Sequence, residues 1–117
     1  MTYIGIEFWQ ATPSNAIDAT GLTALHCDVW SATGTSFGLK LVDFGGMPPG
    51  SVLQTQGEID FDASSTPAFT PGGWVALDVP LSTFQAAGLT ATPSDLSQLL
   101  LANGGGATFY VENLYLH

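Results

Sequence analysis

Basic residues are almost missing from this sequence. Lys40 is the only Lys or Arg among 117 residues, against ten Asp and Glu, so the formal charge is −9 at pH 7. Phosphate contacts dominate nucleic-acid affinity and need Lys and Arg, which excludes a nucleic-acid partner. The same electrostatics disfavour an anionic membrane surface, and anionic polysaccharides unless a bound metal screens the repulsion. Neutral ligands remain. Cysteine is as scarce: Cys27 stands alone, so no intrachain disulfide forms. A lone Cys on an apolar strand face reads as a buried, inert thiol, because a reactive or metal-bound one wants a His or basic neighbour on its own face. Apolar runs such as Leu99-Leu100-Leu101-Ala102 are far too short to span a bilayer, and no basic segment followed by an apolar stretch opens the sequence as a signal peptide would. EF-hand spacing and His/Cys clusters are missing too, which argues against a transition-metal site.

Helical periodicity is the last absence. No segment repeats its apolar residues at 3.6-residue spacing, whereas short runs with period 2 recur along the whole chain. Strands are expected near 3–9, 22–30, 36–44, 57–62, 74–79, 97–102 and 107–116. The breaks between them are Thr12-Pro13-Ser14-Asn15, Ala32-Thr33-Gly34, Gly45 to Gly50, Ser64 to Gly73 and Asn103-Gly104-Gly105-Gly106, each carrying the Gly, Pro or Asn that turns require. The triple Gly lacks a following helix and Lys, so it reads as a connecting loop and not as a phosphate loop. Residues 81–89 are expected to form a helical turn after Pro80, and Ser94-Asp95 to cap a second one before Leu96. With 45% hydrophobic and 9% charged residues, the chain has material for one core under a nearly neutral surface. A single all-β domain over residues 1–117, an antiparallel β-sandwich of jelly-roll type, is the expectation. Few Lys and abundant Thr, Ser and Gly point towards a secreted protein.

The strand faces are unusual. Tyr3 to Trp9 divides into Ile4, Ile6 and Phe8 on one side and Tyr3, Glu7 and Trp9 on the other. Leu25 to Trp30 divides into Leu25, Cys27 and Val29 against His26, Asp28 and Trp30. Tyr110 to Leu116 continues the pattern. Each strand therefore has a dry side and a side offering rings beside carboxylates. Rings with adjacent hydrogen-bonding groups on a rigid sheet suit a ligand with alternating apolar and hydroxylated faces, such as a sugar.

Four blocks carry a family likeness. Asp18 to Trp30, ending in Leu25-His26-Cys27-Asp28-Val29-Trp30, resembles the Asp…Leu-His-x-Asp-x-Trp strand of bacterial jelly-roll carbohydrate-binding modules. Those modules are appended to secreted glycoside hydrolases such as β-1,3-glucanases. Phe37-Gly38-Leu39-Lys40-Leu41-Val42-Asp43-Phe44-Gly45, then Trp74 to Phe84 with Leu77-Asp78-Val79-Pro80-Leu81-Ser82, then Phe109-Tyr110-Val111-Glu112-Asn113-Leu114-Tyr115, follow in the family's order. The resemblance implies a non-catalytic module that holds an attached glycoside hydrolase on a neutral polysaccharide, a β-glucan first of all. Two departures stand out. Where similar modules have Asp-Asn, this chain has Glu112-Asn113; an acid there helps hold a structural calcium together with residues of the first strand, which makes Glu112 the one metal-ligand candidate. Similar modules also carry one or two strands before the segment matching Tyr3–Trp9. The sequence opens almost on that segment, so an open sheet edge, able to pair with a second copy, is expected.

Trp30 and Trp9 are the leading stacking platforms, with Tyr3 and Tyr110 behind them; the alternative is that a loop covers one or both Trp rings. His26, Asp28, Lys40 and Glu7 are the polar contacts, provided their strands are neighbours. Otherwise Lys40, as the only cation, serves an internal cluster with the acids. Trp74 and Phe84 read as packing residues. Glu58, Asp60 and Asp62 form an acidic row, read as a solvated face or a hard-cation site. Paired carboxylates also raise a small glycan hydrolase or lyase, but some pair among ten acids meets the required spacing by chance, and a lyase wants more basic residues than Lys40. Three readings stand: a sugar-binding module, an assembly sandwich using its open edge, and an enzyme.

Overall fold

The computed structural model describes residues 2–9 and 15–117. Among these residues the elements are seven strands and one short helix: β1 (Thr2–Glu7), β2 (Ala24–Trp30), β3 (Ser36–Asp43), β4 (Thr55–Phe61), β5 (Val75–Pro80), α1 (Leu81–Ala86), β6 (Leu96–Gly104) and β7 (Tyr110–Leu116). They form two antiparallel sheets, four strands in the order β1-β6-β3-β4 and three in the order β5-β2-β7. The expected all-β sandwich is what the chain forms, and every expected strand is present with ends shifted by a few residues. The predicted turn at Thr12-Pro13-Ser14 lies outside the described residues.

Period-2 alternation builds the core. β2 sends Leu25, Cys27 and Val29 inward, β3 sends Phe37, Leu39 and Leu41, and β5 sends Leu77 and Val79; all are buried. Cys27 is fully buried, and removal from water, followed by the Asp28 charge next door, pushes its thiol pKa up to about 12. The inert reading of this thiol fits that environment.

Pro80 ends β5 and precedes α1, whose Leu81 and Phe84 are buried. Sealing Phe84 from water contributes roughly 1.5–3 kcal/mol. The helix rests on β4 and β5. Gly57 allows the close approach, because a Cβ there would run into the Phe84 carbonyl. The second expected helical turn does not form. Leu96 opens β6, and Asp95 is buried, its backbone N–H donating to Asp43 Oδ2 at 3.0 Å and its carboxylate accepting from the Gly46 N–H. An acid that ties two loops together has no role left as a helix cap.

Three ladders nest one inside another. β3 pairs with β4, β2 with β5 and β1 with β6. α1 closes the β4/β5 side of the sandwich. On the other side, among the described residues, β1 and β7 each pair on one edge only. Ile4 and Ile6, expected on a dry face, do point between the sheets, yet they are 68% and 41% exposed because the three-stranded sheet ends before it covers them.

Candidate functional site

The outer face of β5-β2-β7 gathers chemistry from all three strands. β2 turns His26, Asp28 and Trp30 outward. The register pairs His26 with Asp78 of β5 and Tyr115 of β7, Asp28 with Ala76 and Glu112, and Trp30 with Tyr110. Directly opposite residues share a face, so one surface carries all of them.

One end of this face is aromatic. The Trp30 and Tyr110 rings lie 5.7 Å apart between centroids, and Tyr110 is exposed. Trp74 joins them. It immediately precedes β5, the register pairing Val29 with Val75 puts it at the Trp30 end, and it is 54% exposed. The expectation that Trp74 is a packing residue is therefore corrected: the alternation that turns Ala76 and Asp78 outward turns Trp74 outward as well. Beneath this end Ser31 ties three segments together, accepting from the Gly34 N–H at 2.8 Å, donating to the Thr108 carbonyl at 2.7 Å, and receiving the Gly72 N–H on its own carbonyl at 2.8 Å.

The other end combines rings with hydrogen-bonding groups. Tyr115 stacks on His26 at 5.0 Å with 27° between the planes, and His117 lies 5.5 Å from Tyr115. His117 Nε2 is 2.9 Å and His26 Nδ1 3.3 Å from Asp78 Oδ1. These bonds, that from His117 first, hold the Asp78 carboxyl below the usual carboxylate range although it is exposed. From His26 to Trp30 the strand runs about 13 Å, long enough for more than one sugar ring.

A bulge sets the middle. Between His26 and Asp28 the β2–β7 register slips, so that Glu112 and Tyr115 flank one extra residue. Asn113 lies there with φ 52°, the left-handed region that Asn tolerates better than most residues. Its Nδ2 donates to Asp28 Oδ2 at 2.7 Å, while His26 Nε2 approaches Asp28 Oδ1 at 3.3 Å. Asp28 is thus held in one orientation from both sides.

The eight expected binding residues divide between two surfaces. Trp30, His26, Asp28 and Tyr110 share the face just described. Tyr3, Glu7 and Lys40 belong to β1 and β3, in the opposite sheet, so the condition that His26, Asp28, Lys40 and Glu7 sit on neighbouring strands fails. Lys40 pairs across the ladder with Glu58, and its Nζ lies 5.6 Å from the Tyr3 ring centroid. A hydrogen bond to Glu58 raises the Tyr3 phenol pKa, and burial followed by the Glu58 charge raises that of Asp60. Lys40 thus lies beside Tyr3 and Glu58, in the opposite sheet from Asp28. Glu7 accepts from Gln98 Nε2 at 3.0 Å on the exposed strand β1. Trp9, half-buried and edge-on to Phe44 at 6.0 Å, follows β1 of the opposite sheet and so does not share the Trp30 face. The third acid of the row, Asp62, forms a turn instead, accepting from the Ser64 N–H and hydroxyl and the Ser65 N–H, and these bonds lower its pKa.

Glu112, the calcium-ligand candidate, is exposed on β7, and the acid across the ladder, Asp28, is bonded to Asn113. Among the described residues no group of three or more His, Cys, Asp or Glu converges on a point where a metal would sit. Nor does the 380 Å³ cavity beside α1 offer acid–base chemistry: Thr20, Thr23, Ser82, Gln85 and Thr92 are its polar lining, with no titratable side chain.

Asn113, Tyr115, His117, Asp78 and Trp74 escaped the sequence reading. Period-2 alternation in β5 and β7 could have found Asp78 and Tyr115, but the bulge at Asn113 is invisible to a strict alternation. Comparison with protein-family models, with curated proteins and with solved structures finds no match to this chain.

Proposed function

We propose that this chain is a non-catalytic carbohydrate-binding module, with the outer face of β5-β2-β7 as its binding surface. The observation that carries the proposal is the row Trp74, Trp30 and Tyr110 beside the oriented carboxylates of Asp28 and Asp78 on one rigid sheet. A pyranose presents C–H groups to a flat ring and hydroxyls to fixed acceptors and donors, and a nearly neutral ligand meets no repulsion from a chain of charge −9. The four sequence blocks that resemble modules of secreted β-glucanases support a β-glucan as the ligand and an attached glycoside hydrolase as the partner. The module would then act by concentrating that catalytic domain on its substrate.

Affinity electrophoresis through gels containing β-1,3-glucan, mixed-linkage β-glucan, xylan or mannan tests this. Selective retardation by a neutral glucan is expected, unaffected by chelator and lost in Trp30→Ala with folding retained. Trp9→Ala should lower stability and leave retardation in place. A Trp30→Ala variant that folds and is still retarded would overturn the assignment of the surface.

The second reading, assembly through an open edge, has its own observation in the uncovered Ile4 and Ile6.

A further inference from the structure

Among the described residues, β1 and β7 leave a gap between their outer edges whose mostly apolar lining suits one more strand. Nesting defines the vacancy. The ladders β3–β4, β2–β5 and β1–β6 each enclose the previous one, and among the described residues β7 pairs with β2 alone and has no enclosing partner. With four strands facing three and α1 closing the β4/β5 side, the deficit lies beside β7 and under β1. The lining is mostly apolar, with Thr2 and Asn103 at one end. One hollow of 190 Å³ runs past Ile6, Leu114 and Leu116, and one of 130 Å³ past Ile4, Leu101 and Val111.

We propose that this gap is a docking slot for an extended segment of another polypeptide, added antiparallel to β7. Strand addition to a free edge takes its affinity from main-chain hydrogen bonds and its specificity from the alternate side chains that enter pockets. The inward side of the incoming strand meets Ile4, Ile6 and the aliphatic residues of β7, so every second residue is a Val, Ile or Leu. Its outward side runs beside Tyr110, Glu112 and Tyr115 on a chain with ten acids and one Lys, so Lys or Arg belongs there. A second copy is the poorer occupant. It brings another −9 of charge, and in a two-fold β7–β7 pairing its overhanging β1 would compete for the place of the first copy's β6. The slot opens between the sheets, away from Trp30, His26 and Asp28, while the outward side of a bound strand borders Tyr110 and Tyr115 at the margin of the proposed sugar-binding face.

The test uses the whole protein and three capped nine-residue peptides. In the first, Val alternates with Lys and Thr; the second has the same composition with the Val residues contiguous; the third replaces Lys by Glu. Titration calorimetry should show the alternating basic peptide binding at least tenfold more tightly than the other two. Amide hydrogen exchange should slow along β7 on binding. Ile4→Asp should abolish binding, and because that side chain is 68% exposed the variant should keep the wild-type unfolding midpoint. Equal binding by the contiguous peptide, or no binding by the alternating one, overturns the proposal. Dimerisation without peptide that protects β7 amides also overturns it, by giving the slot to a second copy.

Discussion

Replacing Asn113 separates two contributions that meet at the β7 bulge. At φ 52° a Cβ meets the following carbonyl, and a residue without a compensating side chain bears roughly 1–2 kcal/mol there. The amide bond from Asn113 to Asp28 is charge-assisted, but it lies on an open face, which reduces its net worth to about 1 kcal/mol, below the range for sheltered bonds. Asn113→Ala loses the bond and keeps the unfavourable φ, a sum of about 2–3 kcal/mol. Asn113→Gly loses the bond and relieves the φ, but adds chain entropy to the unfolded state, about 1.5 kcal/mol in all. Stability should therefore fall in the order Asn, Gly, Ala, with the last two about 1 kcal/mol apart. In a chain of this size that gap is roughly 4 °C in Tm. Urea and thermal unfolding followed by Trp fluorescence would measure it. Glucan retardation should weaken equally in both variants, because each frees Asp28. An Asn113→Ala protein as stable as Asn113→Gly, or retardation that tracks stability instead of the amide, would refute the role given to this residue.

Gly57→Ala should destabilise by about 1–3 kcal/mol, since the new Cβ pushes α1 off β4 at the Phe84 carbonyl, whereas Gly21→Ala, with open space around it, should be near neutral; paired urea midpoints decide this. Cys27 should add an alkaline instability. Below pH 9 its thiol is neutral in both states and the contribution is fully present. Above that the unfolded chain ionises while the buried thiol resists to about pH 12, so stability falls through this window, by at most about 4 kcal/mol. Cys27→Ala should flatten the profile between pH 9 and 11, and an unchanged slope would show that the thiol contributes nothing.

Period-2 alternation is a local property, and what rests on it was legible in the chain. The seven strands, the helical turn after Pro80, the burial of Cys27 and the outward direction of His26, Asp28 and Trp30 all follow from neighbours a few residues apart. Sheet membership is not local. Whether Lys40 joins Asp28 depends on β3 pairing with β4 and β6 while β2 pairs with β5 and β7, contacts between residues tens of positions apart that no short pattern encodes. The tertiary fold alone decided that Glu7, Lys40 and Tyr3 lie on the opposite surface from Trp30. It also carried Trp74 and His117 onto the Trp30 face, the first by the β2–β5 register and the second by pairing with Ala24. One inserted residue at Asn113 shifts the parity of β7, which keeps both Glu112 and Tyr115 on the outside although two residues, an even number, lie between them. Alternation tells a residue which side of its own strand it occupies; only the ladder tells it whom it meets there.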